Sequence, residues 1–223
     1  MSRKSLQQYL ELLANSGIDC IYGTKEEVPS EDILQLQKEI LKEKHNQYKD
    51  CRNCILHRNR INFVYGEGNP SARMMLIGEG PGSEENKQGL PFVGRAGKLL
   101  TDMLRAIDLE RTDVYITNVV KCQPPGNRNP SPEEVHSCIP YLKEQIEIVS
   151  PKIIVLLGKV AAVALLDAKE AMSNLRQRVF SFAGIETYVT YHPAALLYNN
   201  SLKRGSWTDL KKIRDRYKTY NTR

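Results

Sequence analysis

Four short apolar runs, separated by polar segments of helix length, set the plan of the chain. Met74-Met75-Leu76-Ile77, Val114 to Val120, Ile153 to Leu157 and Thr187 to Tyr191 read as strands. Between them, Gly97 to Ile107, Pro132 to Val149 and the stretch that Gly158 opens through Ala161, Ala162 and Ala164 read as helices. Strands alternating with helices predict a parallel sheet covered on both faces, with ligands taken beyond the carboxyl ends of the strands. Near the C-terminus, Trp207, Leu210, Ile213 and Tyr217 form a helical stripe that is expected to face the core. Leu6, Leu10 and Leu13 suggest a first helix ending near Gly17, and Ser30 is a candidate N-cap for a second that runs toward Lys49. Residues 1–45 carry no nameable chemistry and read as an N-terminal helical extension. Residues 46–223 read as one functional domain.

Composition narrows the class. The chain has 223 residues, 41% of them hydrophobic, which suffices for one domain with a sizeable core. No stretch approaches the roughly 18 consecutive apolar residues of a membrane span, so a soluble, intracellular protein is expected. The net charge of +6 is concentrated at the C-terminal end. Lys203, Arg204, Lys211, Lys212, Arg214, Arg216, Lys218 and Arg223 face only Asp209 and Asp215 there, and the rest of the chain is balanced. A neutral body with a basic end suits a polyanion, although a solvated helix face explains it equally well. Among the five cysteines, Cys51 and Cys54 form a C-x-x-C pair, while Cys122 and Cys138 stand far away in sequence and Cys20 is left over. In a reducing compartment this pattern points to metal. Four thiolates suit either zinc or an iron–sulfur cluster, and spacing alone leans slightly toward zinc.

Several strand-end loops carry residues fit for chemistry. In Gly78-Glu79-Gly80-Pro81-Gly82 the glycines let backbone approach a ligand, but no phosphate-binding Lys-Ser/Thr follows. Gly89-Leu90-Pro91-Phe92-Val93-Gly94 presents a ring able to stack on a flat ligand or to plug the core. Asn118 offers a donor and an acceptor side by side, matching the edge of a pyrimidine, or serves as a structural amide. Arg128, in a rigid Pro- and Asn-rich loop, is a candidate phosphate contact. His192 ends the last strand, where it can donate to developing negative charge. Ala195, Leu196 and Leu197 follow on a loop-like segment, as a wedge for a base stack or as core.

Taken jointly, these motifs resemble one family. Cys51-x-x-Cys54, Gly78-Glu79-Gly80-Pro81-Gly82-x-Glu84-Glu85, Gly89-x-Pro91-Phe92-Val93-Gly94-x-Ala96-Gly97, Thr117-Asn118-Val119-Val120-Lys121-Cys122-x-Pro124-Pro125, Cys138, Lys152 to Lys159, and His192-Pro193-Ala194-Ala195-Leu196-Leu197 occur in the order found in family 4 uracil-DNA glycosylases. The resemblance spans about two-thirds of the chain. It implies an α/β fold, a three-layer α/β/α sandwich around a short, mostly parallel four-stranded sheet. It also implies a [4Fe-4S] cluster on Cys51, Cys54, Cys122 and Cys138, and repair of uracil-containing DNA by a monomeric enzyme near the nucleoid. By the same carry-over, Phe92 stacks on the extruded base, Asn118 reads its edge, Glu79, Gly80 and Pro81 line it, and His192 faces O2, with Glu79 a candidate for positioning water. Arg128, Ala195, Leu196 and Leu197 are then the DNA contacts. Tyr198 and Asn200 depart from the arginine and proline common in that family. Two rivals are a metal-bearing nucleic-acid-binding module without catalysis and a glycosylase of broader base range.

Overall fold

The computed structural model describes residues 30–221. The first helix expected around Leu6 to Leu13, and Cys20, lie outside the described residues. The chain opens with α1 (Ser30–Tyr48) and continues through β1 (Glu67–Gly68), β2 (Met74–Gly78), α2 (Ser83–Gln88), α3 (Arg95–Arg105) and β3 (Tyr115–Asn118). It then runs through α4 (Pro132–Val149), β4 (Ile153–Leu157), α5 (Lys159–Leu166), α6 (Met172–Leu175), β5 (Phe180–Phe182), β6 (Ile185–Thr190), α7 (Pro193–Tyr198) and α8 (Lys203–Asn221). One sheet has the order β1-β3-β2-β4-β6-β5. Its central four strands are parallel, as expected. Two short antiparallel strands, β1 and β5, extend it to six. Both escape the sequence pattern because two or three residues are too few to show a period of two.

Alternation along the central strands builds the layers. Met75, Ile77, Ile154 and Leu156 pack with Leu41 of α1, Leu142 and Ile146 of α4, and Ala161 and Ala162 of α5. Met74, Leu76, Ile153 and Val155 face the other way, against Leu100 and Leu104 of α3, Leu196 of α7, and Leu210, Ile213 and Tyr217 of α8. Both faces of the strands are therefore buried, the signature of a covered parallel sheet. Trp207 departs from its stripe. It is 40% exposed, and the Lys211 amine lies over its ring, 5.8 Å from the centroid.

The boundary expected between residues 45 and 46 falls inside α1. That helix is docked on the sandwich: Gln37 Nε2 donates to the Ile148 carbonyl at 2.7 Å, Lys44 pairs with Glu144 at 2.7 Å, and His45 stacks on Tyr65. Among the described residues no helix is long and apolar enough to cross a membrane.

Candidate active site

Two side chains from strand ends, Asn118 and His192, and one from the loop between α2 and α3, Phe92, meet at the carboxyl edge of the sheet. Asn118 is the last residue of β3 and is buried to 1% exposure. Its main chain pairs with Gly78 at the end of β2. Gly78 has no side chain for a spatial reason: a Cβ there would stand 2.4 Å from Asn118 Oδ1 and 2.5 Å from Phe92 Cζ. Phe92 and Asn118 thus sit over the same glycine. The Phe92 and His192 rings lie 5.5 Å apart between centroids, tilted by 34°. Gly158, just after β4, lies under His192, where a Cβ would come within 2.9 Å of the His192 Cβ. Asn118 Oδ1 is buried yet has no hydrogen-bond partner. A buried acceptor left open is costly, and beside an aromatic ring it marks a place where a donor is to be received.

The Phe92 ring is held by an over-determined loop. Its backbone has φ of 53°, a left-handed conformation that costs a non-glycine residue free energy unless its surroundings enforce it. Glu85 accepts from the amides of Val93 and Gly94 at 2.9 and 2.8 Å, and its second oxygen accepts from Gly82 at 3.1 Å. Arg111 donates to the carbonyls of Phe92 and Pro91 at 3.1 and 2.9 Å and pairs with Glu67 at 2.5 Å. Gly97 lets α3 press against the same carbonyl, since a Cβ would lie 1.9 Å from Phe92 O. Glu85, Arg111 and Gly158 shape this cleft although the sequence reading did not single them out. Glu85 and Gly97 lie inside the matched motifs, whereas Arg111 offers no local signal.

The electrostatics of the cleft favour neutral groups. Burial pushes the His192 imidazole down to about 4. The Ala194 amide donates to His192 Nδ1 at 3.2 Å, so the neutral ring carries its proton on Nε2. Burial also raises the Glu79 carboxyl above its usual range. Gly80 packs so closely that a Cβ would meet Val120 Cγ2 at 2.6 Å, and Pro81 beside it is buried. Behind Asn118, Lys121 is wholly buried. Its Nζ donates to Thr117 Oγ1 at 2.6 Å, the Asn118 carbonyl at 2.8 Å and Gln145 Oε1 at 2.5 Å. Burial pushes this amine down to about 7.

The DNA-contact expectations fare unevenly. The segment after His192 is the helix α7 rather than a loop, with His192 as its N-cap. Leu196 is 2% exposed and faces the core, because it stands one turn after the buried Pro193 on the same face. It therefore cannot enter a base stack. Ala195 and Leu197 are partly exposed, and Tyr198 is 87% exposed. Arg128 is not a free cation. It grips Glu134 with both terminal nitrogens at 2.8 and 2.6 Å, beside the Ser131 cap of α4. In the basic C-terminal helix, Arg214 pairs with Asp215 and Arg216 with Glu186.

The four cysteines are neighbours at one edge of the core. Cys122 and Cys138 are buried, and Cys51 and Cys54 pack against the same cluster; all four are free thiols. Burial pushes the Cys138 thiol up to about 12; the Lys121 cation opposes this, and Cys122 and Cys54 add to it. Burial likewise raises Cys122, with Cys54 and Cys51 contributing. Polar groups surround the sulfurs: the Tyr141 hydroxyl and Cys51 Sγ lie 3.1 Å apart, the Lys121 amide donates to Cys138 Sγ at 3.3 Å, and Arg60 Nη1 donates to Cys122 Sγ at 3.6 Å. Among the described residues no three Cys, His, Asp or Glu side chains gather tightly enough to hold a single metal ion.

Comparison with known proteins fits this geometry. The profile of the family described as the uracil DNA glycosylase superfamily matches residues 65–211, which contain the whole cleft. The chain belongs to that superfamily. Type-4 uracil-DNA glycosylases of Thermotoga maritima and Sulfurisphaera tokodaii are similar to it. The first is 44% identical over 185 residues, covering 81% of this chain and 96% of the relative. The second is 47% identical over 174 residues, covering 74% and 79%. A type-5 uracil-DNA glycosylase of Pyrobaculum aerophilum is 35% identical over 149 residues, 59% of this chain and 66% of the relative. Within the superfamily the chain's place is with the type-4 uracil-DNA glycosylases, enzymes of uracil excision in DNA repair.

Proposed function

We propose that the chain flips uracil out of DNA into the Phe92–Asn118–His192 cleft and hydrolyses its N-glycosidic bond, leaving an abasic site. The observation that carries this reading is the open, buried Asn118 Oδ1 beside the Phe92 ring. Uracil presents an N3–H donor next to the O4 acceptor, and the Asn118 carboxamide answers both. Cytosine presents an acceptor and an amino group in the same places, which leaves buried groups facing like partners. Flipping costs a few kcal/mol, partly offset by stacking on Phe92 and pairing with Asn118.

As the bond from C1′ to N1 breaks, its electron pair moves into the base and charge develops on O2. His192 donates its Nε2–H there as a neutral hydrogen-bond donor, a contribution of about 3–4 kcal/mol by analogy with oxyanion-hole donors. Water adds its oxygen to C1′ and releases its proton, and the uracil anion leaves and is protonated. Glu79 is the group suited to orient that water, and the backbone of Glu79, Gly80 and Pro81 lines the base. Ala195 and Leu197, both partly exposed on α7, enter the gap left in the stack. Arg128 lies toward the phosphates as half of an ion pair. The enzyme works inside the cell as a monomer.

Cys51, Cys54, Cys122 and Cys138 would hold a [4Fe-4S] cluster. A lone zinc ion needs all its sulfurs about 2.3 Å from one point. A cluster takes one thiolate per iron and accepts hydrogen bonds at its sulfurs, which suits four neighbouring cysteines with polar groups around them. Bound there, the cluster supplies iron–thiolate bonds that tie the Cys51–Cys54 segment to the Cys122 loop, and no step of the hydrolysis requires it.

Labelled single- and double-stranded oligonucleotides carrying one uracil, cytosine, hypoxanthine or xanthine, followed by alkaline cleavage, test the reading. Cleavage at uracil with cytosine untouched is expected. Cleavage at hypoxanthine in preference to uracil, or at no base, would refute it.

A further inference from the structure

We infer that Lys121 is a positioning residue for uracil recognition, fixing the base-reading carboxamide of Asn118 through its main-chain carbonyl. This rests on the proposal that Asn118 reads uracil. The open Oδ1 means that no protein hydrogen bond holds the carboxamide oxygen before the base arrives. Its direction is therefore inherited from the backbone at the end of β3. On one side that backbone is set by the parallel ladder, continued by the Val119 amide donating to the Gly78 carbonyl at 2.9 Å. On the other side the Asn118 carbonyl is met by Lys121 Nζ at 2.8 Å.

Lys121 is itself immobilised. Three acceptors surround Nζ: the Asn118 carbonyl, Thr117 Oγ1 and Gln145 Oε1. Those acceptors are anchored in turn. Thr117 Oγ1 donates to the Tyr65 carbonyl at 2.8 Å, and Gln145 Nε2 donates to the same carbonyl at 2.9 Å and to the Tyr115 hydroxyl at 3.2 Å. The network joins α4, β3 and the segment before β1 to a single backbone oxygen. A fully satisfied buried network of this kind rigidifies what it touches. A leucine or methionine would fill the same volume without that cost of desolvation, so the amine is explained by what it holds. Lys121 is 0% exposed and has no path to DNA, so any effect it has on catalysis travels through the protein.

The test is a double-mutant cycle on single-turnover uracil release, with Lys121→Met and Asn118→Ala alone and combined. If Lys121 acts through Asn118, Lys121→Met slows the wild-type enzyme by about tenfold or more and the Asn118→Ala enzyme by less than about threefold. The KM for uracil-containing DNA stays within about threefold of wild type. An equal slowing in both backgrounds would overturn the inference, because a general loss of structure does not depend on Asn118. Thr117→Val removes one acceptor and little volume, so it covers the case in which Lys121→Met does not fold. It is expected to show a smaller slowing that again vanishes in Asn118→Ala, and persistence there would overturn the inference. A wild-type rate in Asn118→Ala alone refutes the underlying reading of the site, a result separate from either of these.

Discussion

At the scale of residues, the cleft works by withholding partners. Asn118 keeps an acceptor open, His192 is kept neutral, and Gly78 is kept bare so that the first can lie against Phe92. Asn118→Asp places a second oxygen where a donor is needed, and cleavage is expected to lose its preference for uracil over cytosine when the two oligonucleotides compete. His192→Ala is expected to slow single-turnover release by a few hundredfold at most, the usual loss for one donor at a developing oxyanion. Gly78→Ala forces a methyl group into the contact between Asn118 and Phe92, and activity is expected to fall by about 100-fold through misplacement of the reading groups. The histidine also sets a pH dependence. Its folded value of about 4 lies below the ordinary 6.5. Between these values the unfolded chain binds more protons, so this group's contribution to stability is complete above about pH 6.5 and is lost as the pH falls toward 4. Urea midpoints of wild type and His192→Gln, compared across that interval, are expected to show the steeper acid loss in the wild type. Phe92, Asn118 and His192 were each legible as candidates from their loops. Their convergence over Gly78 was not, because one glycine looks like any other until the neighbouring side chains are known.

At the scale of elements, three parallel strand ends and two loop anchors make the site. The strands Met74–Gly78 and Ile153–Leu157 and the helix Pro132–Val149 could be read almost to the residue, since continuous apolar runs mark the strands and a helix-length polar segment separates them. The edge strands could not, and α7 looked like a loop because six residues beginning with proline give no helical period. Leu196 was misplaced for that reason: only a helix turns it inward. The role of Arg111 was equally hidden, since its partners Glu67, Pro91 and Phe92 lie 19 to 44 positions away. Arg111→Ala and Glu85→Ala each leave loop carbonyls or amides unpaired, at a cost of about 1–3 kcal/mol. Both are expected to lower kcat/KM by about tenfold and to lower the melting temperature, whereas Leu196→Ala lowers stability without affecting cleavage of uracil once folded.

At the scale of the whole molecule, the cysteines and α1 bind the front of the chain to the catalytic sandwich. Cys51 and Cys54 follow α1 directly, and Cys122 stands four residues beyond Asn118, so metal at these sulfurs would brace the strand end that reads the base. Purified protein is expected to be brown, and removal of iron is expected to lower the melting temperature by several degrees. Iron-free protein of equal stability and activity would contradict a bracing role. The residue pattern alone left zinc and iron–sulfur open here, because C-x-x-C with two distant cysteines suits either centre. The most direct measurement remains a crystal structure of the protein with free uracil. The base is expected flat against Phe92, its N3–H on Asn118 Oδ1 and its O2 facing His192 Nε2. Uracil bound elsewhere, or a cleft in which Asn118 Oδ1 stays unpartnered with the base present, would contradict the proposed recognition.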